Sequence, residues 1–152
     1  DRNPVLPSDN WTIQRCRIDN VGSVYSYDHE KGLWQTGQPA LRLRFADIHA
    51  TNVRNPIRAV GNGGLDLTLE NVSVGLTASE VPRPALDVRK FHALRLGGLS
   101  LDNGTETAPV AEIRDGDLVE WLGTGDKQLP VGRYKLSGIR EEREQRNERR
   151  TE

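Results

Sequence analysis

The feature that most constrains this chain is a proline-led, largely apolar stretch that occurs four times. The copies begin at Pro39, Pro56, Pro84 and Pro109, and each continues as a short strand-like run. The intervals from Pro56 to Pro84 and from Pro84 to Pro109 fall in the range expected of stacked repeats, whereas the first interval is shorter. A proline at the first position of a strand removes no backbone donor that the ladder needs.

A second alternating stretch follows each proline-led copy. These stretches are Ile48–Ala50, Leu65–Leu69, Leu94–Leu96 and Leu118–Trp121. Asparagine closes several such stretches, at Asn20, Asn71 and Asn103. Because asparagine tolerates left-handed backbone angles, it is suited to the corner between two strands. Two short strands per irregular repeat are typical of one rung of a β-solenoid.

A short strand cannot cover its own apolar face, but rungs stacked on one another build a continuous core. The sequence therefore predicts an all-β fold, a right-handed parallel β-helix (solenoid). Ile57, Ala85 and Val110 should stack in register in one internal column. Leu67, Leu96 and Val119 should form a second internal column. The alternative is a β-sandwich, whose strands also recur with turns between them.

Composition is consistent with one domain and argues against several kinds of partner. The chain has 152 residues, 35% hydrophobic, with a formal net charge of -1, so it has no general attraction for nucleic acid. It has no apolar run long enough to span a membrane, so we expect no membrane partner. With three histidines at no ligand spacing and a single cysteine, Cys16, we expect no metal site and no cofactor.

The two ends of the chain differ from the repeats. From residue 139 onward charged residues predominate, so we expect a β-helix domain over residues 1–138 and a charged, helical or disordered tail over residues 139–152. At the other end the repeats begin almost at once, at Trp11. An uncapped rung exposes its core, so we expect further rungs above Trp11, from missing N-terminal sequence or from another chain.

The stretch from Leu41 to Trp121 resembles the C-terminal rungs of pectin-lyase-like right-handed β-helices, most closely the polygalacturonase-like proteins of glycoside hydrolase family 28. The run from Phe45 to Ile57, with an inner strand, an asparagine corner and a proline-led strand, carries this resemblance. It implies a polysaccharide or oligosaccharide partner and an extracellular or periplasmic location. The family's Asn-Thr-Asp, Asp-Asp, Gly-His-Gly and Arg-Ile-Lys motifs do not occur here, so no catalytic role can be transferred.

A segment between Val21 and Gln38 interrupts the repeat and concentrates aromatic and acidic side chains. The candidate glycan-binding residues in it are Tyr25, Tyr27, Asp28, Glu30 and Trp34. Aromatic rings stack on sugars, and carboxylates bond their hydroxyls. Asp28 and Glu30 are also an acid and base pair in principle. The alternative is that the aromatic residues only pack this segment against the rungs.

Three functions remain open on the sequence alone. In the first, the chain is the C-terminal portion of a carbohydrate-active β-helix protein, hydrolase- or lyase-like, and the catalytic rungs lie outside this chain. Alternatively it is a noncatalytic glycan-binding module, or a structural solenoid of a surface or fibre protein. Whether it belongs to an enzyme stays open, and we expect the chain alone to be inactive because no paired catalytic carboxylates are recognisable.

Overall fold

The computed structural model describes residues 10–28, 42–105, 108–123 and 133–145. This part of the chain is all-β, and it contains no helix long and apolar enough to cross a membrane. The strands are β1 (Trp11–Val21), β2 (Ser26–Asp28), β3 (Arg42–Val53), β4 (Ile57–Leu76), β5 (Leu86–Gly97), β6 (Ser100–Asp102), β7 (Ala111–Leu122) and β8 (Tyr134–Gln145).

The described strands pair in parallel, and they follow the order β1-β3-β4-β5-β7-β8, with β2 and β6 also pairing with β4. Leu43 lies opposite Leu67, Leu67 opposite Leu94, and Leu94 opposite Val119. Each step in this column is one turn of the chain. The predicted parallel β-solenoid is therefore confirmed, with about four turns.

The long strands bend at corners where single residues adopt left-handed backbone angles. Eight described residues other than glycine have φ between 51° and 58°. The strand registers place most of them in three columns: Arg15, Asp47, Asn71 and Gly98; Lys90, Asp115 and Gly138; Asn20 and Asn52. The corner role predicted for Asn20 and Asn71 is confirmed, since an asparagine side chain lowers the cost of this conformation.

Asn103 has a different role from the one predicted. Positive φ falls on the next residue, Gly104, while the Asn103 side chain is buried at 2% exposure. Its Nδ2 donates to the carbonyl oxygens of Arg83 and Pro109 at 3.0 and 3.1 Å, and its Oδ1 accepts from the Thr105 amide at 3.2 Å. The side chain therefore satisfies backbone groups of two loops that no strand pairs.

Where a whole turn is described, the corners divide it into three straight segments, and these segments stack as three parallel faces. Face 1 consists of residues 11–14, 42–46, 65–70, 93–97, 118–122 and 141–145. Face 2 consists of residues 16–19, 48–51, 72–76 and 100–102. Face 3 consists of residues 26–28, 57–60, 86–89, 111–114 and 134–137.

The core lies between the faces, and alternate residues of every face point into it. One column on face 1 runs Phe45, Leu69, Leu96, Trp121, and each of these is buried. The predicted columns contain buried residues but are shifted in register. Leu94, not Leu96, stacks with Leu67 and Val119; Leu86 and Ala111, not Ala85 and Val110, stack with Ile57. One residue intervenes between the later proline-led copies and their strands, which explains the second shift.

The copy at Pro39 is not equivalent to the other three. Leu43 follows it on face 1, whereas Ile57, after Pro56, lies on face 3. The interval between Pro39 and Pro56 therefore separates two sides of one turn and is not a repeat length. Residues 39–41 themselves lie outside the described part.

The interpretation of residues 139–152 as a helical or disordered tail is wrong for residues 139–145. They belong to β8, which pairs with β7 along its length, so the expected domain boundary falls inside a strand. Residues 140–145 carry no apolar side chain, and this part of the strand is held by its backbone pairing with β7. Ile139 packs against the core, and Trp121 Nε1 donates to Glu142 Oε1 at 2.7 Å. Residues 146–152 lie outside the described part.

Candidate functional site

The predicted glycan-binding segment is described up to residue 28, and its tyrosines are turned toward the core. The Tyr25 ring lies 5.2 Å from the Phe45 ring, centroid to centroid, at a tilt of 56°. Burial raises the pKa of Tyr25 to about 12, with a smaller contribution from Tyr27. Tyr27 lies on β2 opposite Ala59, and its pKa is raised by burial and then by the charge of Asp28.

Asp28 is part of an ion pair, because its Oδ2 lies 3.6 Å from Arg58 Nη2. Glu30 and Trp34 fall outside the described residues. For Tyr25 the contacts favour the packing alternative, since its ring packs against Phe45 in the core at a tilt of 56°. Binding of glycan by this segment as a whole stays a prediction.

Ion pairs cover the outward surfaces and connect neighbouring turns. On face 1, Arg95 Nη1 lies 2.6 Å from Asp66 Oδ1, and Arg95 Nε lies 3.5 Å from Glu120 Oε1, so one guanidinium joins three turns. On face 3, Arg89 forms two hydrogen bonds to Asp87, at 3.0 and 3.1 Å, which raise the pKa of the arginine.

A groove of about 420 Å³ lies along face 1 at its corner with face 2. We call it the Arg44 groove. It is lined by Arg44, Ala46, Asp47, Glu70, Asn71, Gly97, Gly98 and Leu122. These residues come from four successive turns, so the groove runs across the rungs.

The rim of the groove consists of paired hydrogen-bonding groups. Arg44 donates from Nε and Nη2 to the two carboxylate oxygens of Glu70, each at 3.2 Å, which raises the pKa of the arginine. Asn71 Nδ2 donates to Asp47 Oδ1 at 2.7 Å. The side chains of Arg44 and Glu70 remain 44% and 39% exposed, so both can still contact a ligand.

The floor of the groove is formed largely by backbone. A Cβ atom at Gly97 would lie 2.9 Å from the Leu122 Cβ, closer than real side-chain contacts. Gly98 has φ of +61°, and a Cβ there would lie 3.3 Å from the Asn71 amide nitrogen. A side chain at Gly97 would therefore collide with Leu122, and one at Gly98 would be strained, so both glycines keep the floor between the rim residues low.

A second depression, of about 390 Å³, lies where face 3 meets face 1 and includes Lys90, Asp115 and Asp117. Asp117 already lies 3.1 Å from His92 Nδ1 and 3.6 Å from Arg140 Nε. Over the described ranges no group of three or more His, Cys, Asp or Glu side chains is arranged to hold a metal ion. The Arg44 groove is the better candidate because its polar groups surround an open floor.

Comparison with known proteins found no matching protein-family model, curated protein or solved structure. The resemblance to glycoside hydrolase family 28 therefore stays a hypothesis drawn from the sequence.

The sequence did not reveal the Arg44 groove, because its residues are far apart along the chain. Ala46, Glu70 and Gly97 are neighbours in register, yet they lie on β3, β4 and β5, each a full turn of the solenoid from the next. The one available signal was the corner asparagine Asn71. Locating the groove requires the register of three strands, which the spacing of the prolines did not give correctly.

Proposed function

We propose that this chain is a noncatalytic glycan-binding β-solenoid module and that the Arg44 groove holds the glycan. The observation that supports this most is a set of hydrogen-bonding side chains around a floor of small and apolar residues. The wider proposal, which depends on the sequence resemblance, is that the module forms the C-terminal portion of a carbohydrate-active β-helix protein.

The groove offers a sugar both kinds of polar partner. Arg44 and Asn71 donate hydrogen bonds, and Glu70 and Asp47 accept them, so a pair of adjacent hydroxyl groups can bond in either direction. A pyranose ring can pack against the Leu122 side chain, which lies over Gly97. Shallow grooves give few contacts, so we expect dissociation constants of roughly 0.1 to 1 mM.

The charges of the rim favour a neutral ligand. Arg44 contributes one positive charge, and Asp47 and Glu70 contribute two negative charges. A uronate carboxylate would also have to displace Glu70 from its two hydrogen bonds with Arg44. We therefore expect neutral oligosaccharides to bind more tightly than oligogalacturonate, with the difference decreasing at high salt.

The groove's carboxylates are not arranged for glycoside hydrolysis. That reaction requires one protonated acid and one free base or nucleophile on opposite sides of the bond. Here Glu70 accepts two hydrogen bonds from Arg44, and Asp47 accepts one from Asn71.

The proposal is tested by titrating neutral and acidic oligosaccharides into the wild-type chain and into Arg44→Gln by calorimetry. Removal of a charged donor should weaken neutral-glycan binding by about tenfold. Arg114→Gln is the matched control, because Arg114 is similarly exposed and also pairs with a glutamate, Glu112, but on face 3. Equal binding by the two variants, or no binding by the wild type at about 10 mM glycan, would count against the groove.

The second candidate is a structural solenoid of a surface or fibre protein. It is favoured by the ion pairs that join successive turns, with Arg95 between Asp66 and Glu120 as the clearest case. A wild-type chain that binds no glycan but unfolds cooperatively at high temperature would support this candidate instead.

A further inference from the structure

The dipeptide Asn-Gly occurs twice in the chain, at Asn62-Gly63 and at Asn103-Gly104. Asparagine is a chemically labile residue, and a following glycine makes it more so, because glycine has no side chain to hinder attack by its own backbone nitrogen. Both glycines have positive φ, 101° at Gly63 and 78° at Gly104. The two copies share their sequence and their backbone region, and the structure distinguishes them by their surroundings.

The two asparagines also form the same local hydrogen bond. Asn62 Oδ1 accepts from the Gly64 amide, and Asn103 Oδ1 accepts from the Thr105 amide, each at 3.2 Å. A bond of this kind folds the side chain back over the intervening glycine. It brings the amide carbon, Cγ, toward the glycine nitrogen and withdraws electron density from that carbon, so both side chains are prepared for attack.

Asn62 lies in an exposed insertion at the corner between face 3 and face 1. In this corner β4 has residues 61–64, where the paired part of β5 has the single residue Lys90. No residue of the described neighbouring strands is in register with these four, and residues 62–64 are exposed. Water therefore reaches the Asn62 amide, and the backbone there can change without breaking a described ladder pair.

Asn103 is enclosed by protein. Its side chain is 2% exposed, and its Nδ2 donates to the carbonyl oxygens of Arg83 and Pro109 at 3.0 and 3.1 Å. Arg133 Nη2 lies 3.3 Å from its Oδ1, so both ends of the amide are held. Deamidation requires Nδ2 to leave and water to enter, and the loss of two buried hydrogen bonds adds to the barrier.

We propose that Asn62 is a site of spontaneous deamidation in the folded protein and that the fold protects Asn103 from the same reaction. The Gly63 nitrogen loses its proton to solvent and attacks Cγ of Asn62, forming an N–Cγ bond. The Cγ–Nδ2 bond then breaks, and Nδ2 takes up a proton from water and leaves as ammonia. Water adds to either carbonyl of the resulting succinimide and opens the ring to aspartate or isoaspartate. The reaction consumes only water.

The product adds a negative charge to the depression at this corner. Asn62 lines it together with Lys90, Asp115 and Asp117, so the new carboxylate lies in the same depression as two others. Isoaspartate also lengthens the backbone by one carbon atom, which an insertion outside the described ladder accommodates. We therefore expect the modified protein to keep its fold and to differ in the charge of this depression.

The test follows both sites in the wild-type chain, incubated folded at mildly alkaline pH, by tryptic digestion and mass spectrometry. Trypsin releases the two asparagines in separate peptides, residues 59–89 and 96–114, and fragmentation distinguishes Asn62 from Asn71 in the first. Asn62 should gain the mass change of an amide replaced by a carboxyl group at least about tenfold faster than Asn103. In guanidinium chloride the two rates should converge, because the fold no longer holds the Asn103 amide.

Asn62→Gln is the control for the chemistry, since glutamine would have to form a larger ring; it should remove the mass change at this position. Asn62→Asp and Asn103→Asp copy the two products. The first should leave the urea midpoint unchanged, and the second should lower it, because it loses both Nδ2 hydrogen bonds.

Equal rates at the two sites in the folded chain would overturn the proposal, as would an Asn62 that reacts only in denaturant. Rates that stay unequal in guanidinium chloride would also overturn it, because the neighbouring sequence and not the fold would then protect Asn103.

Discussion

At the scale of single residues, the same amino acid can serve binding or packing, and the sequence alone does not separate the two. Tyr25 lies in a segment rich in aromatic and acidic residues, a composition also typical of glycan sites. Its ring packs on Phe45, and its pKa is raised to about 12 mainly by burial. This distinction depends on which way the side chain points after the corner at Asn20.

Tyr25 should make the protein sensitive to alkaline pH. Its pKa is about 10 in the unfolded chain and about 12 in the fold, so its contribution to stability is fully present below pH 10. It is lost as the pH rises through 12. In urea unfolding, the free energy should fall less between pH 10 and pH 12 in Tyr25→Phe than in the wild type.

Tyr27→Phe is the comparison, because Tyr27 is less buried and should account for a smaller part of this fall. If Tyr25→Phe and the wild type lose the same free energy over this range, the Tyr25 phenol is not buried in solution.

At the scale of elements, alternation and proline-led starts were enough to predict the fold but not the register. Pro56, Pro84 and Pro109 each precede a strand of face 3, so the β-solenoid follows from them. The register of the face 3 strands depends on whether a residue intervenes between the proline and the start of its strand. In β5, an irregularity near His92 also shifts the pairing of the face 1 segment with β4 by one residue. The secondary-structure propensities of its residues could not identify β8, because pairing with β7 is what stabilises this strand.

Removal of the face 1 part of β8 should therefore destabilise the molecule. Truncation after Gly138 exposes Val119 and Trp121 and breaks the face 1 part of the β7–β8 ladder, so we expect a loss of about 3 kcal/mol in the free energy of unfolding. Truncation after Gln145 keeps all of β8 and is the control. Identical urea midpoints for the two truncated chains would mean that the face 1 part of β8 adds no stability.

At the scale of the whole molecule, each rung contacts only its neighbours, so stability should vary along the solenoid axis. β4 and β5 are paired on both edges, whereas β1 is paired with β3 alone among the described strands. The core residues of β4, such as Leu67 and Leu69, are fully buried, while Trp11 and Ile13 on β1 are exposed.

Amide hydrogen exchange should follow this gradient. We expect the slowest exchange in β4 and β5 and the fastest in β1, because opening an end rung breaks one ladder and opening a middle rung breaks two. Mass spectrometry of peptic fragments measures this directly. Uniform protection from β1 to β8 would indicate a single cooperative unit.

The loop that connects face 2 to face 3 differs greatly in length between successive turns. It is short between Val53 and Ile57 and much longer between Leu76 and Leu86, yet both turns enter face 3 in register. The length of this loop therefore does not affect the pairing of the strands on face 3. A foreign peptide inserted beside Ser79, where the neighbouring Val81 is 72% exposed, should be carried on the surface without disturbing the fold, which makes this loop a natural place for epitope display.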